Sequence, residues 1–291
     1  MLWVTDLGWL MGPMLITGTL LVGGTVVLFE GTPDYPKPDR LWQLCARHRV
    51  THLGISPTAV RALMPYGADW IAPHDLSALR IIGSTGEPWN PDSWTWLFEH
   101  VGRSRVPILN YSGGTEIGGG IITGTVLHPL KPGCFAGSVP GMAAAVVDEH
   151  GRDVPSGHVG ELVMRVPSMG LTRGLWNDPE RYLDTYWNVI PGLWVHGDFA
   201  SIDAEGFWYL HGRSDDTIKV AGKRVGPAEI ESILLATGRV AEAAVIGAQD
   251  AVKGQALVCV CAARDRDRTL TDELSAALAT APGAAFTPRA L

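Results

Sequence analysis

Strand-like and helix-like patterns alternate over the first 111 residues of this chain, and nothing else in the sequence narrows the fold as much. The apolar run Thr25–Phe29 precedes a helical pattern, Lys37–Arg49, with Leu41, Leu44 and Cys45 on one face. His52–Ser56 reads as a strand, and Pro57 opens the next helix at a first-turn position where a missing N–H costs nothing. Leu79–Gly83 is apolar again, Pro91–Val101 is helical and rich in tryptophan, and Pro107–Tyr111 returns to strand. Strands alternating with helices of this length predict an α/β layer structure with mostly parallel strands.

The rhythm changes after residue 116. Short strands bounded by Gly and Pro follow at Ala143–Asp148, Val159–Arg165, Leu193–Asp203 and Gly206–His211, with Asp203–Gly206 as a hairpin connection. A charged stretch, Gly212-Arg-Ser-Asp-Asp216, then leads to a strand ending at Val220, a helix from Pro227 to Ala236, strands near Ala243–Ile246 and Leu257–Val260, and a helix near Thr271–Ala279. The expected organisation is α/β (α+β): a large unit over 1–211, split into a layer (1–115) and a β-rich subdomain (116–211), a hinge at 212–216, and a small α+β domain over 217–291.

Of 291 residues, 46% are hydrophobic and 18% charged, enough material for a sizeable core. The formal net charge of -7 argues against a general nucleic-acid binder, so any anionic ligand must be met by local groups. The four cysteines form no C-x-x-C pair; Cys259 and Cys261 share one face of a strand and read as core thiols in a reducing, cytoplasmic setting. Leu10–Phe29 carries no charge and is about as long as a membrane span. Pro13, the interspersed glycines and threonines and the preceding Asp6 instead favour a buried helix, a Gly23-Gly24 turn and a buried strand, so no stable membrane span is expected.

Four constellations carry chemistry. Asn110-Tyr-Ser-Gly-Gly-Thr-Glu-Ile-Gly-Gly-Gly120 follows a strand. Its glycines let backbone N–H groups approach an anion, the Thr115 hydroxyl suits a phosphate oxygen, and the Glu116 carboxylate suits a hard Mg2+; a ligand-free glycine turn reads equally well. Gly83-Ser-Thr-Gly-Glu-Pro88 lies past another strand, where open α/β sheets form their ligand crevice; an ordinary tight connection is the plain alternative. In His196-Gly-Asp198 the carboxylate offers two acceptors to a ribose diol, while Arg213 offers a planar fork to a phosphate or ribose oxygen; a hairpin Asp and a surface Arg are the plain alternative, and His196 reads as a packed strand histidine. Arg213–Glu231 places two acidic residues at a domain junction, then a turn bearing Lys223 and Arg224, as a lid moving over phosphate would need; a solvated charged linker is the plain alternative.

Together these motifs resemble the adenylate-forming (AMP-binding) superfamily, most closely its acetyl-CoA-synthetase-like branch. Asp6-Leu-Gly-Trp9, Phe29-Glu-Gly-Thr-Pro33, Pro57-Thr-Ala and Lys253-Gly-Gln255 resemble it too, so the likeness runs from Asp6 to the C-terminus. The resemblance implies a ligase that couples ATP, with Mg2+, to a small-molecule carboxylic acid as an acyl-adenylate and passes the acyl group to CoA. By matching positions it implies that Gly86, Glu87 and Pro88 line an adenine site and that Tyr111, Ser112, Gly113 and Gly114 border the nucleotide, without the adenine-stacking aromatic usual at Ser112-Gly113. Thr115 would touch phosphate, Glu116 would hold Mg2+, Asp198 the ribose, and Arg213 and Arg224 the nucleotide. Thr85 and Gly113 would border the acyl pocket, Gly222 the CoA passage, and Asp215 the hinge.

Three departures bear on activity. The family's phosphate loop lies upstream of the region matched here, and its Pro-Lys-Thr-x-x-Gly-Lys-like catalytic lysine segment lies near the C-terminus, where this chain reads Pro288-Arg-Ala-Leu291. None of the five lysines matches that segment, so no catalytic lysine is assigned and a fragment, inactive as supplied, is expected. Ser112-Gly113 stands where acetyl-using relatives carry tryptophans, which predicts an acyl pocket open to acids larger than acetate. The alternatives are a non-catalytic remnant that binds nucleotide or nothing, and an adenylating enzyme whose acceptor is a carrier-protein thiol.

Overall fold

A computed structural model describes residues 1–214, 218–220, 223–250, 254–265 and 269–280. The first sheet has six strands in chain order: β1 (Leu2–Trp3), β2 (His52–Gly54), β3 (Ile81–Ser84), β4 (Ile108–Gly114), β5 (Gly119–Thr123) and β6 (Gly137–Ser138). β1 to β4 pair in parallel, and β5 and β6 antiparallel. The break in sequence rhythm after 116 is therefore a change of strand direction within one continuous sheet.

The helices α1 (Met11–Leu21), α2 (Arg40–Arg47), α3 (Pro57–Leu63) and α4 (Pro91–Trp96) connect the parallel strands. α3 starts where Pro57 predicts, and Ser56 caps it by accepting from the Ala59 N–H at 3.2 Å. The core under this sheet gathers Leu41, Trp42 and Cys45 of α2 with Leu53, Ile82, Ile108 and Leu97. A second, antiparallel sheet holds β7 (Ala144–Val147), β8 (Gly160–Met164), β9 (Trp194–Ile202) and β10 (Trp208–Arg213) in the order β10-β9-β8-β7. α5 (Pro179–Tyr186) packs on β9, where the Tyr186 ring stacks on Trp194 at 4.2 Å and 4°.

The third sheet, β12-β11-β14-β13, belongs to the C-terminal part: β11 (Ile218–Val220), β12 (Lys223–Val225), β13 (Val240–Asp250) and β14 (Gly254–Ala263). Its core joins Ile230 and Leu234 of α6 (Pro227–Ala236) to Leu274 and Leu278 of α7 (Leu270–Thr280). Cys259 is buried there and Cys261, two residues on, is half-buried, as alternation in a strand requires.

The apolar segment near the start differs from its sequence reading. α1 buries only Gly12, Leu15 and Thr19, while Leu21 and Val22 are 85% and 82% exposed. Thr25–Phe29 forms no strand but a single bridge, Val27 to Leu2. A run apolar on every side carries no period to say which face turns inward. At 11 residues, α1 spans about 16 Å against the roughly 30 Å of a bilayer core. Among the described residues no helix is long and apolar enough to cross a membrane.

One contact sets the sheet's carboxyl edge. Trp3, Gly54 and Gly83 lie side by side in register, and the Trp3 indole covers both glycines. A Cβ on Gly54 would fall 1.8 Å from Trp3 Cδ2, and one on Gly83 2.9 Å from its Cη2. Gly54→Ala is expected to cost about 2–3 kcal/mol by overpacking. Urea denaturation checks this, and Trp3→Ala in the same chain should recover part of the loss; additive losses would contradict the contact.

Candidate active site

The carboxyl ends of β3 and β4 meet the β9–β10 hairpin around a cavity of about 320 Å3. Its walls include Thr85–Pro88 after β3, Asn110–Gly113 of β4, Phe135, and His196, Asp198, Leu210, Gly212 and Arg213 from the hairpin. The structure thus gathers Gly86, Glu87, Pro88, Tyr111, Ser112, Gly113, Asp198 and Arg213 in one place.

Each wall has a local cause. Gly86 has φ +105°, a conformation that disfavours any Cβ. The Glu87 carboxylate braces the loop: Oε1 accepts from the Thr58 N–H at 2.7 Å at the α3 N-terminus, and Oε2 pairs with Arg61 Nη2 at 2.7 Å. Arg61 also donates to Asn90 Oδ1 at 3.0 Å. Glu87 therefore holds the wall in place with its carboxylate already engaged.

Asp198 and Arg213 are 15 positions apart yet pair directly across β9 and β10. A register shift between Leu210 and Gly212, where Gly212 has φ +103°, re-aims the end of β10. Arg213 Nη1 lies 3.5 Å from Asp198 Oδ1 and donates to the His196 carbonyl at 3.4 Å. The Asp198 carboxylate is largely buried, which keeps competing water away from an acceptor pair facing the cavity.

His196 is the buried strand histidine the sequence suggests, and it also borders the cavity. Its Nε2 is 3.5 Å from Asp198 Oδ2, and its ring rests on Gly114, where a Cβ would sit 2.8 Å from Cε1. Burial holds its pKa below the usual histidine value against the opposing pull of Asp198.

A second cavity, about 380 Å3, shares the Thr85, Gly86, Tyr111 and Gly113 wall and extends to Gly114 and Thr115. Trp3, Val4, Leu10 and Met11 give it an apolar side. Burial pushes the Tyr111 hydroxyl up to about 12. Trp3, Met11 and Phe135 were not singled out from sequence; Trp3 reaches the site only through strand pairing, which no local signal reveals.

Gly113 borders this second cavity together with Thr85, but not by leaving side-chain space empty. A Cβ there would lie 1.9 Å from the Gly119 carbonyl oxygen and 2.7 Å from Gly120 Cα. The missing side chain is replaced by the backbone of β5, so Gly113 borders both cavities with its main chain and opens no extra volume. Gly120 in turn makes room for the Tyr111 ring, 2.3 Å from where its Cβ would stand.

Glu116 is half-buried just past β4, and its carbonyl accepts from the Thr172 N–H at 2.6 Å. Burial, then the Glu116 carboxylate, raises the pKa of Tyr186. Arg224 lies in β12 with its backbone paired to Lys219; Asp215 and Gly222 fall outside the described residues.

The sequence model of the AMP-binding enzyme family matches residues 1–176, and that of the AMP-binding enzyme C-terminal domain matches 229–291. The chain belongs to the AMP-binding enzyme family. It is 46% identical over 258 residues to the acetyl-coenzyme A synthetase of Pyrobaculum arsenaticum, covering 87% of this chain and 38% of that protein. It is 40% identical over 288 residues to that of Chlorobaculum tepidum, covering 97% and 44%. Among solved structures, acetoacetyl-CoA synthetase from Streptomyces lividans matches with TM-score 0.87 at 30% identity, over 99% of this chain and 44% of that one. The anthranilate CoA ligase AuaEII in complex with anthranoyl-AMP matches with TM-score 0.78 at 26% identity, over 99% and 54%. The chain spans about two fifths of the length of the curated relatives it matches.

The hairpin carries a pH dependence. His211, beside the bulge, sits 2.8 Å from Ser201 Oγ through Nε2, and burial lowers its pKa below 6.5. The unfolded chain gains that proton first on acidification, so stability held above pH 6.5 is lost as pH falls toward the depressed folded value. The urea midpoint should drop between pH 7.5 and 5.5, and drop less in His211→Gln; equal drops would contradict this.

Proposed function

We propose that this chain forms the nucleotide-handling part of an AMP-forming acyl-CoA synthetase. In that reaction a carboxylate oxygen attacks the α-phosphorus of ATP and pyrophosphate leaves, giving an acyl-adenylate. A CoA thiolate then attacks the acyl carbon, the thioester forms and AMP departs. The observation that carries this reading is the convergence of Thr85–Pro88, Tyr111–Gly113, Asp198 and Arg213 on one cavity in a member of the AMP-binding enzyme family.

In this reading the base lies against Gly86–Pro88 and Tyr111, the Asp198 oxygens accept from the ribose hydroxyls, and the Arg213 guanidinium faces phosphate or ribose oxygen. Ser112, Gly113 and Gly114 supply backbone beside the nucleotide, and Thr115 a hydroxyl to phosphate. These groups act by placing donors and positive charge where phosphoryl charge builds. Glu116, a half-buried carboxylate beside the exposed Thr115, would hold Mg2+. When bound, that ion would neutralise phosphate charge. We assign 1–211 to the large domain, 212–216 to the hinge about Asp215, and 217–291 to the mobile domain bringing Gly222 and Arg224 to CoA and phosphate.

Support for the acid-binding side comes from the second cavity, whose Trp3, Met11 and Tyr111 suit an apolar chain longer than acetate, with Thr85 at the shared wall.

Two measurements test this. Isothermal titration with AMP should show Asp198→Asn weakening binding at least tenfold, since hydrogen bonds to a charged acceptor contribute about 1.5–3 kcal/mol each; unchanged affinity would remove Asp198 from the ribose site. With AMP saturating, hexanoate should bind more tightly than acetate, each buried methylene adding up to about 0.8 kcal/mol; equal binding would reject the larger-acid reading.

A further inference from the structure

An apolar space outside the candidate site lies where the two matched family regions face each other. It is a cleft of about 540 Å3. One side is Arg61, Met64 and Pro65 at the end of α3 and the Trp89–Ser93 turn into α4; the other is α6, the start of β13 and Arg264. We propose that this cleft is a binding site for a small amphipathic anion, an apolar body bearing one carboxylate-like group.

Three observations support that chemistry. First, the volume lies within the roughly 300–1,000 Å3 range of small-molecule pockets, and Met64, Trp89, Ile233 and Leu235 make the lining largely apolar. Second, Trp89 is buried at this wall, where a large rigid ring gives an apolar ligand body area to pack against. Third, the charges select sign. Arg61 is neutralised by Glu87 at 2.7 Å, and Asp92 stands in the first turn of α4, where the helix N-terminus balances it. Arg264 is exposed and makes no ion pair among the described residues, so it is the cation open to a ligand.

The cleft is distinct from the nucleotide cavity but adjoins it. Gly86, Glu87 and Pro88 line that cavity, while Trp89 and Asn90, the next two residues, line the cleft. A ligand here touches both matched regions at once, so it binds this arrangement of them in preference to any other. The inference does not depend on the nucleotide reading.

Octanoate is the probe, titrated calorimetrically into the 291-residue chain without nucleotide. Saturable binding is expected, weakened at least tenfold in Ala236→Trp, which fills the cleft from α6. Arg264→Gln, at an exposed position that the fold does not need, should weaken it at least threefold, and octanol, which lacks the charge, should bind more weakly than octanoate. Thr85→Trp, which fills the other apolar cavity, should retain cleft binding. No saturable binding to the folded chain, binding indifferent to both Ala236→Trp and Arg264→Gln, or binding abolished by Thr85→Trp would each overturn the proposal.

Discussion

The Trp3 indole lying across Gly54 and Gly83 is the contact on which the site depends. Parallel strands bring their carboxyl ends to one edge, and the loops leaving that edge become the natural walls of a crevice. Here two of those ends carry no side chain on the covered face, so the ring can lie flat over β2 and β3. That fixes where Ser84 ends and where the Thr85–Pro88 loop begins. The same ring joins Val4, Leu10 and Met11 on the apolar side of the second cavity, so one packing contact shapes both the sheet edge and the space beside the proposed nucleotide site.

Close backbone approach recurs around this centre. Gly113 against Gly119, Gly114 under His196 and Gly120 beside Tyr111 each exclude a side chain for a separate reason. The glycine-rich segment is therefore a packing solution in its own right. Glu87, with its carboxylate shared between the α3 N-terminus and Arg61, stiffens the opposite wall. The β9–β10 hairpin then delivers Asp198 and Arg213 by register alone. Strand register positions Asp198 and Arg213, and a braced loop positions Glu87, so the donors and acceptors are set by the fold.

Much of this was legible in sequence because periodicity and punctuation are local. The alternation up to Tyr111 predicted the parallel layer, Pro57 and Pro227 marked true helix starts, and Cys259 and Cys261 followed strand alternation. What failed was non-local or aperiodic. Thr25–Phe29 has strand composition, but its backbone meets only the short Met1–Leu2 end of the chain among the described residues and forms a single bridge there. α1 is apolar all round, so its exposed end could not be foreseen. Gly113 looked like lost volume because sequence shows a missing side chain and not the β5 backbone that takes its place. Trp3 was invisible as a site residue for the same reason: its neighbours lie about fifty and eighty positions away along the chain.

The central claim is that loop, strand end and hairpin make one nucleotide pocket. A crystal structure of the chain with AMP tests it most directly. The account predicts ribose hydroxyls within hydrogen-bond distance of the Asp198 carboxylate and the base against Gly86–Pro88 and Tyr111. AMP bound elsewhere, or in this cavity with its ribose turned away from Asp198, would contradict it.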